Sequence, residues 1–360
     1  MFTDRPLTGV ARYLRAEMEG TTFRNVGPVV NWLLAGCILI ACMVVLGGIT
    51  RLTDSGLSIT EWKPIMGAIP PLNEAQWNEA FEKYKQIPEY TLTNPHMDLA
   101  GFKRIFFWEY LHRNWGRLMG LVFAIPFVVF WRRGLLQGWL FERSLWILLA
   151  GGAVGALGWF MVASGLQDRA DVSHYRLAIH LCAAFAVFSL VWWTMLDLRV
   201  GRRAFASDGT PAAKWGRVLL PLLFVQVVWG AFTAGLDAGT IYNTWPLMNG
   251  EFMPENVLAY GNLLTDLTDH KDGVQFVHRW FAMVVAAAYI LYALRFRSIG
   301  TLSGWLIALV LLQFVLGVFT VLTQVRIDLG VLHQFGALLL LAVTLVVLHR
   351  TGRPVTSTEA

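Results

Sequence analysis

The chain has 360 residues, of which 56% are hydrophobic and only 15% charged, with a formal net charge of +5 and a mean hydropathy of +0.52. A water-soluble domain of this length exposes far more charge, because its whole surface faces water, so soluble enzymes and soluble binding modules are excluded. The positive charge implies no nucleic-acid partner, since a bias of Lys and Arg toward the cytoplasmic loops of a membrane protein accounts for it.

Residues 1–30 read as a cytoplasmic tail. They lack the short apolar stretch and small-residue cleavage site of a signal peptide, and Asp4, Glu17 and Glu19 speak against a mitochondrial transit peptide. Asn31–Ile49 follows without a single charge, long enough as a helix to cross a hydrocarbon core of about 30 Å at about 1.5 Å per residue. The loop from Arg51 to Leu111 is the longest connection. Within it Asn73–Gln86, polar with Trp77, Phe81 and Tyr84, suits a surface helix, and Asp98–His112, with Leu99, Phe102, Ile105, Phe106 and Leu111, suits a segment lying along the membrane surface.

Seven further apolar runs follow: Asn114–Trp131, Ser144–Leu166, Leu177–Leu196, Val218–Leu236, Val277–Leu294, Leu302–Val325 and Leu329–Leu348. Arg117 and Arg279, each near the start of its run, are the charges they contain. Gly151–Gly158 (GGAVGALG) lies inside an apolar run and reads as helix packing rather than nucleotide binding. Arg199, Arg202, Arg203, Lys214 and Arg217 crowd the fourth connection, which places it and both termini in the cytoplasm and the long loop outside. A bacterial inner membrane is the expected location. A second outer loop, Asp237–Phe276, contains Thr244–Pro254 (TWPLMNGEFMP), whose Pro and Gly predict irregular structure. Cys37, Cys42 and Cys182 all fall in helices and read as small packing residues.

The expected fold is an all-α integral membrane protein whose eight transmembrane helices form two parallel-repeat four-helix bundles, an N-terminal half over 31–200 and a C-terminal half over 218–348, with a cytoplasmic tail over 349–360. The repeat is visible in FWEYLHRNWGRLMGL (Phe107–Leu121) against GVQFVHRWFAMVV (Gly273–Val285), and in AIHLCAAF around His180 against VLHQFGAL around His333.

Of the eight histidines, His112, His180, His278 and His333 lie within a turn or two of the start of every second helix, so they share one depth near the outer face. Two imidazoles on facing helices at matched depth are what a bis-histidine haem requires, and the pairs His112–His180 and His278–His333 supply this once per half. His96, His174, His270 and His349 read as solvated. Arg113 and Arg279 each follow a candidate ligand directly. They suit anionic haem propionates, although an interfacial arginine also reaches for lipid headgroups. Glu109 precedes His112 by three residues and shares its helical face, whereas Gln275 stands at the matching place in the second half. A carboxylate at that depth implies either chemistry or a partner such as Arg113 or Arg117.

GGITRLTDSGLSITEW (Gly47–Trp62), FKRIFFWEYLHR (Phe102–Arg113), TWPLMNGEFMP and the two C-terminal histidine sites together resemble the haem A synthase family, over nearly the whole chain and in its proteobacterial and mitochondrial form. The resemblance implies oxidation of the C8 methyl group of haem O to a formyl group through two hydroxylations and loss of water. It implies haem b as cofactor on His278 and His333, and substrate haem O on His112 and His180; the adjacent Arg279 and Arg113 are the candidate propionate partners of the two sites. It makes Glu109 catalytic and suggests a haem O synthase as the partner that hands over substrate. The outer-loop cysteine pair of some relatives is missing here. The rival reading of the same histidines is a di-haem transmembrane b-type cytochrome that passes electrons to or from quinone, which leaves Glu109 without a task.

Overall fold

The computed structural model describes residues 26–62, 66–168 and 171–355. Most of the tail expected over residues 1–30, and residues 356–360 of the other tail, lie outside them. Among the described residues eight helices are long and apolar enough to cross a membrane, and the chain is a multi-pass membrane protein. In chain order the helices are α1 (Gly27–Leu52), α2 (Glu74–Tyr84), α3 (Pro88–Leu92), α4 (Leu99–Arg132), α5 (Gly138–Asp168), α6 (His174–Val200), α7 (Pro211–Gly235), α8 (Leu263–Thr268), α9 (Lys271–Arg295), α10 (Thr301–Leu322) and α11 (Ile327–Arg350). The long ones are α1, α4, α5, α6, α7, α9, α10 and α11.

Side-chain caps fix where several helices begin. Asn73 accepts from Gln76 N–H at 3.0 Å, Asp98 from Gly101 N–H at 2.7 Å and Thr210 from Ala213 N–H at 3.2 Å, each satisfying an amide that the helix itself leaves open. The Asp98 cap corrects one expectation. The segment Asp98–His112 is not a separate surface piece; it is continuous with the second membrane helix, so α4 starts at Leu99 and His112 lies near its middle. Its apolar residues face the long loop. Phe102 stacks 5.2 Å from both Phe81 and Tyr84, and Phe106 meets Trp77 at 4.9 Å, with Tyr84 and Phe102 fully buried. The loop helices α2 and α3 thus cover the α4 extension and take its apolar face away from lipid.

The long helices meet in two rings. α1, α4, α5 and α6 touch in that cyclic order, as do α7, α9, α10 and α11, while α1, α6, α7 and α11 also meet one another. Those last four are the most buried, whereas α4, α5 and α10 leave most of their surface to the surroundings. Trp192 Nε1–H donating to Ala342 O at 3.1 Å, and Gln334 Nε2–H donating to Val44 O at 2.7 Å, tie the central helices together. Across each ring the histidine-bearing helices, α4 opposite α6 and α9 opposite α11, do not pack on each other, so space remains between them.

The fourth connection holds a short strand absent from the sequence reading. β1 (Arg203–Ser207) pairs antiparallel with β2 (Gly352–Pro354), Arg203 opposite Pro354 and Ser207 opposite Gly352. Of the glycines in Gly151–Gly158, Gly151, Gly152 and Gly155 meet nothing and only Gly158 is closely packed. The helix-packing reading therefore fails for Gly151, Gly152 and Gly155, which face open space.

Candidate haem-binding site

His112, His180, His278 and His333 each rest on a glycine of the preceding long helix. A Cβ added at Gly47 would sit 3.2 Å from His112 Cε1, and the corresponding distances are 3.0 Å for Gly158 and His180, 3.0 Å for Gly230 and His278, and 2.8 Å for Gly317 and His333. A side chain at any of the last three would push the ring away. The glycines lie about one to three turns before the end of their helices, all on the face that carries the long loop. His112, His180, His278 and His333 are thereby held at comparable depth.

A haem bound by two histidines has an imidazole on either side of the iron, and metal–nitrogen bonds of about 2 Å put the ring centres roughly 6 Å apart. The ring centres of His278 and His333 are 6.3 Å apart with perpendicular planes, so this pair fits the group. Its surroundings fit as well: Gln226 Oε1 and Gln313 Oε1 beside the two rings are buried and have no hydrogen-bond partner. His112 lies within electrostatic reach of His180. His112 Nδ1 makes a long 3.5 Å contact to Thr50 Oγ1, and His180 Nδ1 faces the Val154 carbonyl without a well-formed hydrogen bond.

Above these rings both rings of helices carry matching clamps. In the first, Glu109 is 3% exposed. Its Oε2 accepts from Ser58 Oγ–H and Ile59 N–H, both at 2.6 Å, and its Oε1 pairs with Arg113 Nη2 at 2.5 Å. Arg113 also donates to Ile59 O at 2.9 Å and Glu61 O at 3.3 Å. In the second, Gln275 Nε2 and Arg279 Nη1 both donate to Tyr242 O at 3.2 Å. Arg279 Nη2 donates to the carbonyls of Thr244, Pro246 and Leu247. Each clamp pins a loop over the helix that carries its histidine. The sequence left the partner of Glu109 open between Arg113 and Arg117; the structure pairs it with Arg113, while Arg117 donates to Asn114 at 2.9 Å.

A match to the family described as cytochrome oxidase assembly protein spans residues 30–345. The chain belongs to this family. It is 47% identical over 321 residues to the haem A synthase of Maricaulis maris, covering 86% of this chain and 92% of that protein. It is 45% identical over 338 residues to that of Sphingopyxis alaskensis (92% and 94%) and 44% identical over 339 residues to that of Flavobacterium johnsoniae (90% and 98%).

For this family member, two of the histidines expected to be solvated are not. His174 is 5% exposed and lies 3.3 Å from Asp269, and His349 is 1% exposed, its Nε2 2.9 Å from the buried Asp197. Both sit at helix ends where a neighbouring element closes over them. Sequence reasoning also missed the two glutamines and the supporting role of the four glycines, of which only Gly158 was read as a packing residue. Their signal is a short recurrence: MVVLG (Met43–Gly47), VGALG (Val154–Gly158), QVVWG (Gln226–Gly230) and QFVLG (Gln313–Gly317), one at each histidine.

Proposed function

We propose that this chain is a haem A synthase, a membrane oxidoreductase that converts the C8 methyl group of haem O to a formyl group and so makes haem A. The observation that carries the reading is the contrast between the clamps. Glu109, His112 and Arg113 stand in one half and Gln275, His278 and Arg279 in the other, alike in placement and different in the single group able to ionise.

In this reading the helices form two parallel four-helix halves, which the two closed rings of contacts support. His278 and His333 hold haem b, and His112 and His180 hold haem O. Bound there, haem b supplies one-electron redox chemistry within the membrane. Arg279 gives all its hydrogen bonds to main-chain carbonyls, which leaves its charge available to a propionate, and Arg113 does the same for the substrate with its charge partly met by Glu109. Glu109 is the catalytic carboxylate. It is held within one turn of His112 by Ser58, Ile59 and Arg113, where its fixed negative charge would counter positive charge on a haem bound at His112 and its oxygen would take a proton released by the oxidation. Both termini are cytoplasmic, the membrane is a bacterial inner membrane, and a haem O synthase delivers the substrate.

The test is haem extraction from the purified protein followed by chromatography. Haem O or haem A beside haem b supports the reading; haem b alone supports the electron-transfer cytochrome and overturns it.

A further inference from the structure

The two halves differ in how they hold their histidines, and the difference lies in the residue one turn before each supporting glycine. In the C-terminal half it is glutamine. Gln226 Nε2 lies 3.0 Å from both Nδ1 and the main-chain oxygen of His278, so one side chain grips the ring and the backbone of the same residue. Gln313 Nε2 lies 3.2 Å from His333 Nδ1, which is itself 3.1 Å from the Gln313 carbonyl. The Gln313 amide occupies room that exists because residue 336, one turn beyond His333, is glycine; a Cβ there would collide with Gln313 Oε1. In the N-terminal half the same places hold Met43 and Val154, of which only the Met43 thioether can accept from a ring nitrogen, and weakly.

We propose that Gln226 and Gln313 are positioning residues that lock His278 and His333 for permanent haem ligation, and that the lack of any such lock at His112 and His180 makes the N-terminal site one that releases its haem. The inference rests on the assignment of haem b and haem O to the two halves and gives it a physical basis. A histidine bound to iron through Nε2 carries its remaining proton on Nδ1, and the group that accepts this proton fixes the tautomer and the ring orientation. The amide nitrogens of Gln226 and Gln313 face Nδ1 in this structure, and a half-turn of either amide brings its buried, unpartnered oxygen to that place as such an acceptor. Apart from the long Thr50 contact, His112 and His180 lack a side-chain partner at Nδ1; their rings meet only the main-chain carbonyls of Leu46 and Val154. A cofactor must stay through many turnovers and a product must leave, so the two sites have opposite requirements.

The test uses the purified full-length protein in detergent, with its haem bound and apomyoglobin in excess as haem acceptor. Q226M and Q313M, which copy Met43, should speed the loss of haem b about 10–100-fold, the usual effect of removing an outer-shell partner. Q313E, which keeps a strong acceptor, should retain haem b, shift its low-spin electron paramagnetic resonance g-values and lower its midpoint potential, which a purely structural residue would not do. Met43→Gln with Val154→Gln should slow the release of haem from the N-terminal half. Unchanged haem loss in Q226M and Q313M, together with unchanged g-values in Q313E, overturns the proposal while leaving the site assignment standing. Haem b that persists in His278→Ala overturns the assignment itself.

Discussion

Replacing Glu109 by Gln separates chemistry from scaffolding. The carboxylate accepts from Ser58 and Ile59 at 2.6 Å and pairs with Arg113 at 2.5 Å while 3% exposed. An amide oxygen can keep the two accepted bonds, but the ion pair goes. Breaking a fully buried pair costs about 3–5 kcal/mol. Arg113, however, retains the carbonyls of Ile59 and Glu61, and Gln275 with Arg279 shows that the same clamp closes around an amide and carbonyls, with Gln275 Oε1 left unpartnered. We therefore expect about 1–3 kcal/mol of local destabilisation, with the protein still folded and loaded with haem b. Loss of a general acid–base group costs roughly 10²–10⁴-fold in rate, equivalent to about 3–6 kcal/mol in the barrier. Haem content and the haem O to haem A ratio, both measured per folded molecule by chromatography, distinguish the two contributions. Accumulation of haem O or a hydroxylated intermediate is the expected result. A fall of less than about tenfold per haem-loaded enzyme would mean that Glu109 acts only as the anchor of Arg113.

Gly317→Val should displace His333, whose ring already lies 2.8 Å from an added Cβ, and abolish the low-spin haem b spectrum as completely as His278→Ala or His333→Ala; an intact spectrum would remove the glycine shelf from the account. Burial, followed by the nearby carboxylates Glu109, Asp54 and Asp171, raises the loop carboxyl of Glu89 from 4.5 to about 8. The unfolded loop then ionises before the folded one, so loop stability should fall from pH 4.5 to pH 8 and level off above. Hydrogen exchange over residues 84–94 should show that slope, and Glu89→Gln should flatten it; a slope that survives the substitution assigns it elsewhere. Reporter fusions at Ala360 and within residues 73–86 should give opposite compartment signals, and equal signals would mean a miscounted crossing.

Helix number and the residues gathered near the site were legible in the sequence because both rest on one-dimensional signals. Apolar runs of membrane length register the eight crossings, and spacing relative to those runs registers His112, His180, His278 and His333. The start of α4 was not legible, because Phe102 and Phe106 look equally apolar whether they face lipid or Tyr84 and Trp77. The clamps were half legible. Glu109 and Arg113 lie one turn apart on the same helix, but Ser58 and Ile59 reach them from about fifty residues away through a loop with no periodicity. His349 misled because a histidine at a helix end usually meets water, and only the folded chain brings Asp197 and the ring of Trp193 over it. The supporting glycines escaped notice because glycine in an apolar helix is common, and only their contacts with histidine set these four apart.

The most direct test of the central claim is expression in a membrane that contains haem O and lacks haem A, followed by extraction and mass analysis of the haems. The account predicts a new haem in which an oxygen replaces two hydrogens at the C8 methyl group, present with the wild-type chain and missing with His112→Ala. Haem O left unchanged beside a protein fully loaded with haem b on His278 and His333 would contradict it and leave an electron-transfer cytochrome in its place.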